Sequence, residues 1–254
     1  MTKSLVLITG GNNGLGYYAT QQLAASGNYT VLMGSRDHSR AEKAITALLE
    51  DQSMKVTAGD VHPVQIDVTS DESIYAAAKH VRETYGYLDI LMLNAGITQQ
   101  QAETEDSPSL RQLYHNHFDT NLFGAAVTLE AFLPLLRESK APGGKRIAFT
   151  SSGLASFKLA DNGPASCTAS LYPIYRSTKT AMNMIMLGYA KQLEGEGFVV
   201  SCSDPGYCAT DINGHQGMKD PREGAKALVK AATGDKTKVH GGVVNEENDE
   251  RLPW

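Results

Sequence analysis

Short, nearly continuous apolar runs recur along the chain, separated by longer stretches in which apolar residues return every three or four positions. The runs are LVLIT at 5–9, YTVLMG at 29–34, PVQID at 63–67, LDILML at 88–93, RIAFT at 146–150, FVVSCS at 198–203 and GVV at 242–244. Successive side chains of a strand point to opposite faces, so unbroken apolar runs predict strands covered on both sides, as in a parallel sheet. The stretches between them predict helices over 14–26, 38–50, 71–85, 109–138, 172–194 and 221–232. Repeated strand-helix alternation calls for right-handed crossovers, which gives an α/β fold built on a doubly wound, seven-stranded parallel sheet with helices on both faces. Two regions fit neither pattern: 153–171, rich in Ser, Ala, Gly and Asn, and 206–221, rich in Gly and polar residues. Both follow strands and should emerge at the carboxyl edge of the sheet, where ligands bind in this architecture, the first as a substrate loop and the second as a lid.

Composition narrows the picture. A chain of 254 residues suits one large α/β domain over 1–254, with no second domain required. There are 23 basic and 28 acidic residues, a net charge of −5, and no block of like charge that would form a nucleic-acid arm or a membrane patch. The apolar start of MTKSLVLITGG is broken by Thr and Gly before it could form a signal-peptide core or span a bilayer, which predicts a cytoplasmic protein. Cys167, Cys202 and Cys208 are odd in number and scattered, as expected of free thiols in a reducing compartment. The histidines show no metal-ligand spacing, and His115 with His117 reads as a helix-surface pair.

The first candidate chemistry lies directly after the first strand. Thr9, Gly10, Gly11, Asn12, Asn13, Gly14, Leu15 and Gly16 lead into a helix, and glycines there let the backbone turn tightly and bring helix N–H groups to a pyrophosphate. The second strand ends in Gly34, Ser35, Arg36. A site for NAD commonly offers a carboxylate at that place for the ribose hydroxyls, whereas an arginine accepts the extra phosphate of NADP. Ser35 and Arg36 therefore point to NADP(H); the alternative is that Arg36 is a solvated side chain partly cancelled by Asp37. Asp67, with Val68, follows the third strand and either accepts a hydrogen bond from adenine or caps a turn.

The second candidate is the pair Tyr175 and Lys179 in YRSTK. Residues four apart on a helix are surface neighbours. An ammonium about 5 Å from a phenol, at an effective dielectric near ~20, favours the phenolate by roughly 3 kcal/mol, or about two units below the usual pKa of about 10. That would let Tyr175 act as an acid or base near neutral pH. Taken alone, the pair is also what an ordinary helix surface displays.

In combination and order these motifs resemble the classical short-chain dehydrogenase/reductase family, over almost the whole chain. TGGNNGLG at 9–16 looks like its cofactor turn, Asp67 its adenine contact, and LNAG at 93–96 (Asn94, Ala95, Gly96) its structural Asn-Ala-Gly. Asn121 in TNLFG resembles its catalytic asparagine, TSSG at 150–153 the segment carrying its serine, YRSTK its Tyr and Lys, and PGYCAT at 205–210 (Pro205, Gly206, Thr210) the turn whose threonine holds the nicotinamide carboxamide. TNLFG followed by LEAFLPLL, with the tail GGVVNEENDERLPW, is most similar to NADPH-dependent carbonyl reductases. The resemblance implies a Rossmann-type fold. It also implies hydride transfer to a carbonyl, with Tyr175 as proton donor, Ser152 holding the carbonyl oxygen, Lys179 lowering the tyrosine pKa and binding the nicotinamide ribose, and Asn121 holding a water that connects Lys179 to solvent. Asn121 could equally bend the long 109–138 helix, and Thr210 could be a simple helix cap.

Ser152 precedes Tyr175 by 23 positions, a longer spacing than the family usually shows, with the extra length in 153–174. Ser151, Ser166 and Ser170 are thus alternatives to Ser152, which is preferred because it lies just past a strand. In monomeric carbonyl reductases such an insertion covers an oligomer face, which implies a monomer while leaving homodimer and homotetramer open. Ile97, Leu154, Phe157, Leu159, Tyr207, Cys208 and Met218 are the candidate pocket residues, an apolar set suited to a neutral, moderately bulky ketone or aldehyde. Rival readings are a secondary-alcohol dehydrogenase, a pathway-specific ketone or imine reductase, and a non-catalytic NADP sensor.

Overall fold

The computed structural model describes residues 3–98, 107–247 and 250–254; positions 248–249 of the GGVVNEENDERLPW tail lie outside them. In chain order the main elements are β1 (Ser4–Ile8), α1 (Gly14–Ala25), β2 (Tyr29–Ser35), α2 (His38–Glu50), β3 (Val61–Gln65), α3 (Asp71–Thr84), β4 (Ile90–Leu93), α4 (Leu110–Phe118), α5 (Gly124–Arg137), β5 (Arg146–Thr150), α6 (Phe157–Asn162), α7 (Pro173–Gln192), β6 (Val199–Ser203), α8 (Pro221–Thr233), α9 (Lys236–Val239) and β7 (Val243–Val244). Among the described residues the seven strands form one sheet in the order β3-β2-β1-β4-β5-β6-β7, and every pairing is parallel. This is the doubly wound Rossmann-type architecture expected from the alternation, and its strand order reverses between β1 and β4. The reversal opens a crevice at the carboxyl ends of those two strands.

The continuous apolar runs have the predicted cause. In β1, Leu5 and Leu7 face a core shared with α3, α5 and α7, including Ile74, Phe132 and Met186. Val6 and Ile8 face the opposite core, shared with α1, α2 and α8, including Leu23, Leu48 and Leu228. Each such side chain removed from water contributes roughly 1.5–3 kcal/mol, so two-sided burial of the strands fixes which way every strand residue points.

Four expectations are corrected. The helix expected over 109–138 is interrupted by a π-helical turn, Asp119–Phe123, because the Asn121 side chain is held by partners outside the helix. The third strand begins two residues earlier than expected, at Val61, and carries Pro63 within it. It tolerates a proline because β3 is a sheet edge, paired only with β2. His117 is buried with its Nδ1 2.7 Å from the Leu113 carbonyl oxygen, since it lies one turn beyond buried Leu113 on the inward face of α4. The unassigned region 153–171 contains the short α6, whose Lys158 N–H donates to the carbonyl oxygen of Trp254 at 2.9 Å. Among the described residues no helix is long and apolar enough to cross a membrane.

Phe132 is fully buried on α5 in the core that supports the crevice. Phe132→Ala is expected to lower unfolding free energy by about 3–5 kcal/mol, read as a shift of the urea midpoint with an unchanged slope; a change under ~1 kcal/mol would mean that this face is loosely packed.

Candidate active site

The site is assembled at the crevice from strand ends. Thr9, at the end of β1, accepts the Asn94 and Ala95 N–H groups on its Oγ1 at 3.0 and 3.1 Å. Asn94 returns the contact, its Nδ2 donating to the carbonyls of Thr9 at 3.0 Å and Gly10 at 3.2 Å. The ends of β1 and β4 are thereby locked together on both sides of the crevice. Gly10 turns at φ 64°, and a Cβ at Gly16 would fall onto the Gly10 carbonyl, so the first turn of α1 lies directly against the loop that precedes it. Asn13 is the N-cap of α1 but makes no side-chain cap, leaving the first N–H groups of the helix available to an anion.

At the end of β2, Ser35 is buried and its hydroxyl donates to the Asp37 carbonyl at 2.9 Å, while Arg36 is exposed. Asp37 caps α2 by accepting the Ser39 and Arg40 N–H groups, and the Ser39 hydroxyl beside it holds its carboxyl below the usual carboxylate range. Its charge is turned toward Arg40, 3.7 Å away, and not toward Arg36. Arg40 was not singled out in the sequence, yet it gives this end of β2 a second guanidinium. Asp67 forms a turn: Oδ1 accepts Thr69 N–H at 3.0 Å and Thr69 Oγ1–H at 2.7 Å. Val68 packs against Gly124, where its carbonyl would collide with any Cβ.

Asn121 is fully buried in the π turn. Its Oδ1 accepts Ile97 N–H at 2.7 Å, and its Nδ2 donates to the Ile97 carbonyl at 2.9 Å and to Thr178 Oγ1 at 3.1 Å. It joins the segment after β4 to α7, and Gly96 sits against both Asn121 Oδ1 and Lys179 Nζ. π turns recur at functional sites for the reason seen here: the extra residue swings one side chain out of helical register.

Lys179 and Tyr175 lie on α7. The Lys179 ammonium is buried, donates to the Thr150 carbonyl at the end of β5 at 2.6 Å, and lies 5.6 Å from the Tyr175 ring centroid. The Ser152 hydroxyl is a neighbour of the Tyr175 phenol and favours its ionised form. The expected lowering of the tyrosine by the lysine is not what this arrangement produces. Burial is the larger effect, raising the Tyr175 phenol well above its usual value, with Asp204 acting in the same direction and the neighbouring Ser152 hydroxyl opposing them. Burial likewise lowers the Lys179 ammonium to about 8. The Coulomb argument from helix spacing omitted desolvation.

The serine alternatives separate by direction. Ser151 is buried and its hydroxyl donates to Asn183 Oδ1 at 2.6 Å, away from Tyr175. Ser166 and Ser170 are exposed. Ser152 has an extended backbone, accepts Leu154 N–H at 3.2 Å and meets Tyr175. The longer spacing to Tyr175 is absorbed by α6 and the turns around it.

The pocket residues divide too. Ile97, Leu154 and Leu159 are half-buried, with Ile97 held by Asn121. Phe157 and Met218 are 72% and 92% exposed, and therefore line no closed wall here. Cys208 is buried, but its Sγ donates to the Pro205 carbonyl at 3.2 Å and fills the space left by Gly224 of α8; burial pushes its thiol up to about 11. The Tyr207 phenol is a neighbour of the Tyr172 phenol, and Tyr172 is a left-handed residue (φ 51°) just ahead of α7, so the 206–221 segment comes close to the start of the helix that carries Tyr175. Thr210 forms a capping box with Asn213 and packs near Gly14 of the glycine-rich turn. Tyr172, Arg40 and Asp204 are the residues here that motif reading passed over; an acidic residue between a buried strand and Pro-Gly was the one available signal, for Asp204. Among the described residues no group of three or more His, Cys, Asp or Glu is placed to hold a metal, and the three cysteines are free.

The family model for short chain dehydrogenases matches residues 4–220. The chain belongs to the short-chain dehydrogenase family. Among relatives of this dehydrogenase, the short-chain dehydrogenase anuI of Penicillium roqueforti is 43% identical over 251 residues, covering 98% of this chain and 96% of that protein. The short-chain dehydrogenase/reductase eupG of a Phoma species is 35% identical, covering 91% and 84%. Among solved structures, the NADPH-bound carbonyl reductase from chicken fatty liver superposes with a TM-score of 0.80 at 26% identity, covering 100% of both chains. Salutaridine reductase from Papaver somniferum, at 21% identity and a TM-score of 0.77 over 95% of this chain and 99% of its own, shares the fold.

The lysine of this dehydrogenase offers a direct check. With a folded pKa of about 8, below the unfolded value of about 10.4, the charged form is the one that folding disfavours. That unfavourable contribution is full below the folded pKa and fades as pH rises toward the unfolded one. Lys179 side-chain NMR resonances, assigned with Lys179→Arg, are expected to titrate near pH 8 in the cofactor-free protein; a midpoint near 10.4 would show a hydrated ammonium.

Proposed function

We propose that this short-chain dehydrogenase is an NADPH-dependent carbonyl reductase acting on a neutral, moderately bulky ketone or aldehyde, with Tyr175 as proton donor. The observation that carries the reading is the placing of Ser152 and Tyr175 beside the buried Lys179 ammonium, which is bonded to the Thr150 carbonyl at the carboxyl end of β5, in the sheet whose strand order reverses between β1 and β4. The residues present suit a dinucleotide. Gly10 and Gly16 bring the α1 N-terminus against the turn, Arg36 and Arg40 flank the ribose end, and Lys179 Nζ faces Gly96 at the nicotinamide end. The likeness to a carbonyl reductase solved with NADPH supports the same choice.

When bound, the reduced nicotinamide supplies the hydride. The chain does the rest. The Ser152 hydroxyl donates to the carbonyl oxygen and stabilises it as negative charge grows, a role worth about 3 kcal/mol for one well-placed donor. The Tyr175 phenol, kept protonated by burial, releases its proton to that oxygen. Lys179 is tied to the Thr150 carbonyl and faces the cofactor crevice, where it stabilises the phenolate left behind. Asn121 holds the Ile97 segment and, through Thr178, the helix that carries both groups. Within this reading 1–254 acts as one cofactor-binding and catalytic domain, 206–221 is its lid, and Ile97, Leu154 and Leu159 are its apolar wall.

NADPH oxidation against a panel of aromatic aldehydes, diketones, quinones and cyclic ketones is expected to show turnover that falls on the order of 10³-fold in Tyr175→Phe while NADPH binding is retained. Tight binding with no turnover on any member would favour a non-catalytic sensor. Arg36→Asp is expected to weaken NADPH binding by roughly tenfold or more with little change for NADH; equal losses for both would remove Arg36 from the phosphate site.

A further inference from the structure

Ser151 has no part in the chemistry described above, and the helix that carries Tyr175 and Lys179 has a second polar stripe. Arg176, Thr180 and Asn183 stand four and three residues apart in RSTKTAMN, so they share one face of α7, next to the face of Tyr175 and Lys179. Each of the three binds the chain that follows β5, and they do so in reverse order. Asn183 Oδ1 accepts the Ser151 hydroxyl at 2.6 Å, the Thr180 hydroxyl donates to the Ala155 carbonyl at 3.1 Å, and Arg176 Nη2 donates to the Cys167 carbonyl at 2.8 Å. The segment from the end of β5 into the insertion is thus laid antiparallel along this stripe.

Ser152 lies between the first two of these anchors. Before it, the Lys179 ammonium holds the Thr150 carbonyl at 2.6 Å, and Ser151 is fixed twice, by the Asn183 bond and by its own N–H to the Ser203 carbonyl of β6 at 2.8 Å. Ser151 and Asn183 are both buried, where a hydrogen bond is stronger than in water and a lost partner is costly. After Ser152 comes the turn Gly153–Ala155, closed by the Ala155 N–H on the Ser152 carbonyl at 3.0 Å, and Thr180 holds the far end of that turn. The Ser152 hydroxyl oxygen accepts Leu154 N–H at 3.2 Å, which leaves its own proton to donate to a substrate.

We propose that Asn183 and Thr180 are positioning residues of the active site: acting through Ser151 and Ala155, they bracket Ser152 and set its hydroxyl in register with Tyr175 and Lys179 on the same helix. A donor that stabilises a growing charge must be held within about 0.5 Å of its productive place, and Ser152 sits past the end of β5, where strand pairing stops. Both anchors belong to the helix that carries the tyrosine and the lysine, so a small shift of α7 carries the serine with it and the three groups keep their spacing. Arg176 extends the same tether to Cys167, within the insertion, and so acts on the apolar wall and not on the serine. The role deepens the reductase reading and rests on it for its use, although the bracket itself does not.

The test measures kcat and KM for carbonyl reduction with NADPH in Asn183→Leu and Thr180→Val, each made in the wild type and in Ser152→Ala. In the wild-type background each is expected to lower kcat on the order of tenfold or more, as a misplaced reacting group does, with the KM for NADPH little changed. In the Ser152→Ala background the same substitutions are expected to cost less than about twofold, because the group they place is gone. Arg176→Met is expected to split the other way, raising the KM for the carbonyl more than it lowers kcat. An equal loss of kcat in both backgrounds, or an unchanged kcat in folded Asn183→Leu and Thr180→Val, overturns the proposal, and so does an Arg176→Met loss of kcat as large as theirs. If Asn183→Leu fails to fold, Thr180→Val decides by the same comparison. Amide hydrogen exchange over 151–156 in the cofactor-free proteins needs no turnover and separates the two failures. If the wild type reduces no carbonyl, faster exchange there in the variants upholds the bracket and rejects the reductase reading, whereas unmoved exchange overturns the bracket itself.

Discussion

A buried ammonium is the constraint on which the catalytic edge depends. Lys179 is taken out of water by α7 and the sheet and is held by the Thr150 carbonyl. Burying a charge is costly unless it is bonded, so the surrounding groups are arranged around this one. The end of β5 supplies the acceptor, Gly96 brings the backbone after β4 alongside, and Asn121 fastens that segment to α7 through Ile97 and Thr178. The π turn in the helix before α5 follows from the same constraint, because a regular helix would not present Asn121 to both partners. Burial also governs the proton: it lowers the lysine to about 8 and raises the tyrosine, moving each toward its neutral form.

The cofactor end is organised by hydrogen bonds that lock strand ends. Thr9 and Asn94 exchange bonds across β1 and β4 and hold the crevice open at the reversal of strand order. On the far side, Asp37 caps α2 and faces Arg40, which leaves Arg36 exposed at the end of β2. Positive charge at that corner is therefore less cancelled than the sequence neighbour Asp37 suggests.

Much of this was legible in the residues. Two-sided apolar runs identify buried parallel strands because few other structures need them, and all seven were located to within a few residues. The glycine-rich turn, Asn-Ala-Gly and the Tyr and Lys of YRSTK fall together because their spacing is tied to strand ends. What escaped reading depends on long-range partners. The π turn is set by Ile97 and Thr178, the inward position of His117 by its place one turn from Leu113, and the tolerance of Pro63 by an edge that only the strand order reveals. Desolvation of Tyr175 and the sulfur of Cys208 turning toward Gly224 are properties of packing, invisible in linear spacing. Asp204 carries no motif of its own, although its carboxyl accepts the Gly206 N–H and lies against Gly153.

The central claim is that hydride passes to a carbonyl carbon in this crevice while Tyr175 returns the proton. Its most direct measurement is product mass from a turned-over ketone with NADPH deuterated at both positions of the nicotinamide C4. The account requires one deuterium at the carbinol carbon of every product molecule, formed on the order of 10³-fold more slowly by Tyr175→Phe. An unlabelled alcohol, or labelled alcohol formed as fast by the Tyr175→Phe protein, would contradict it.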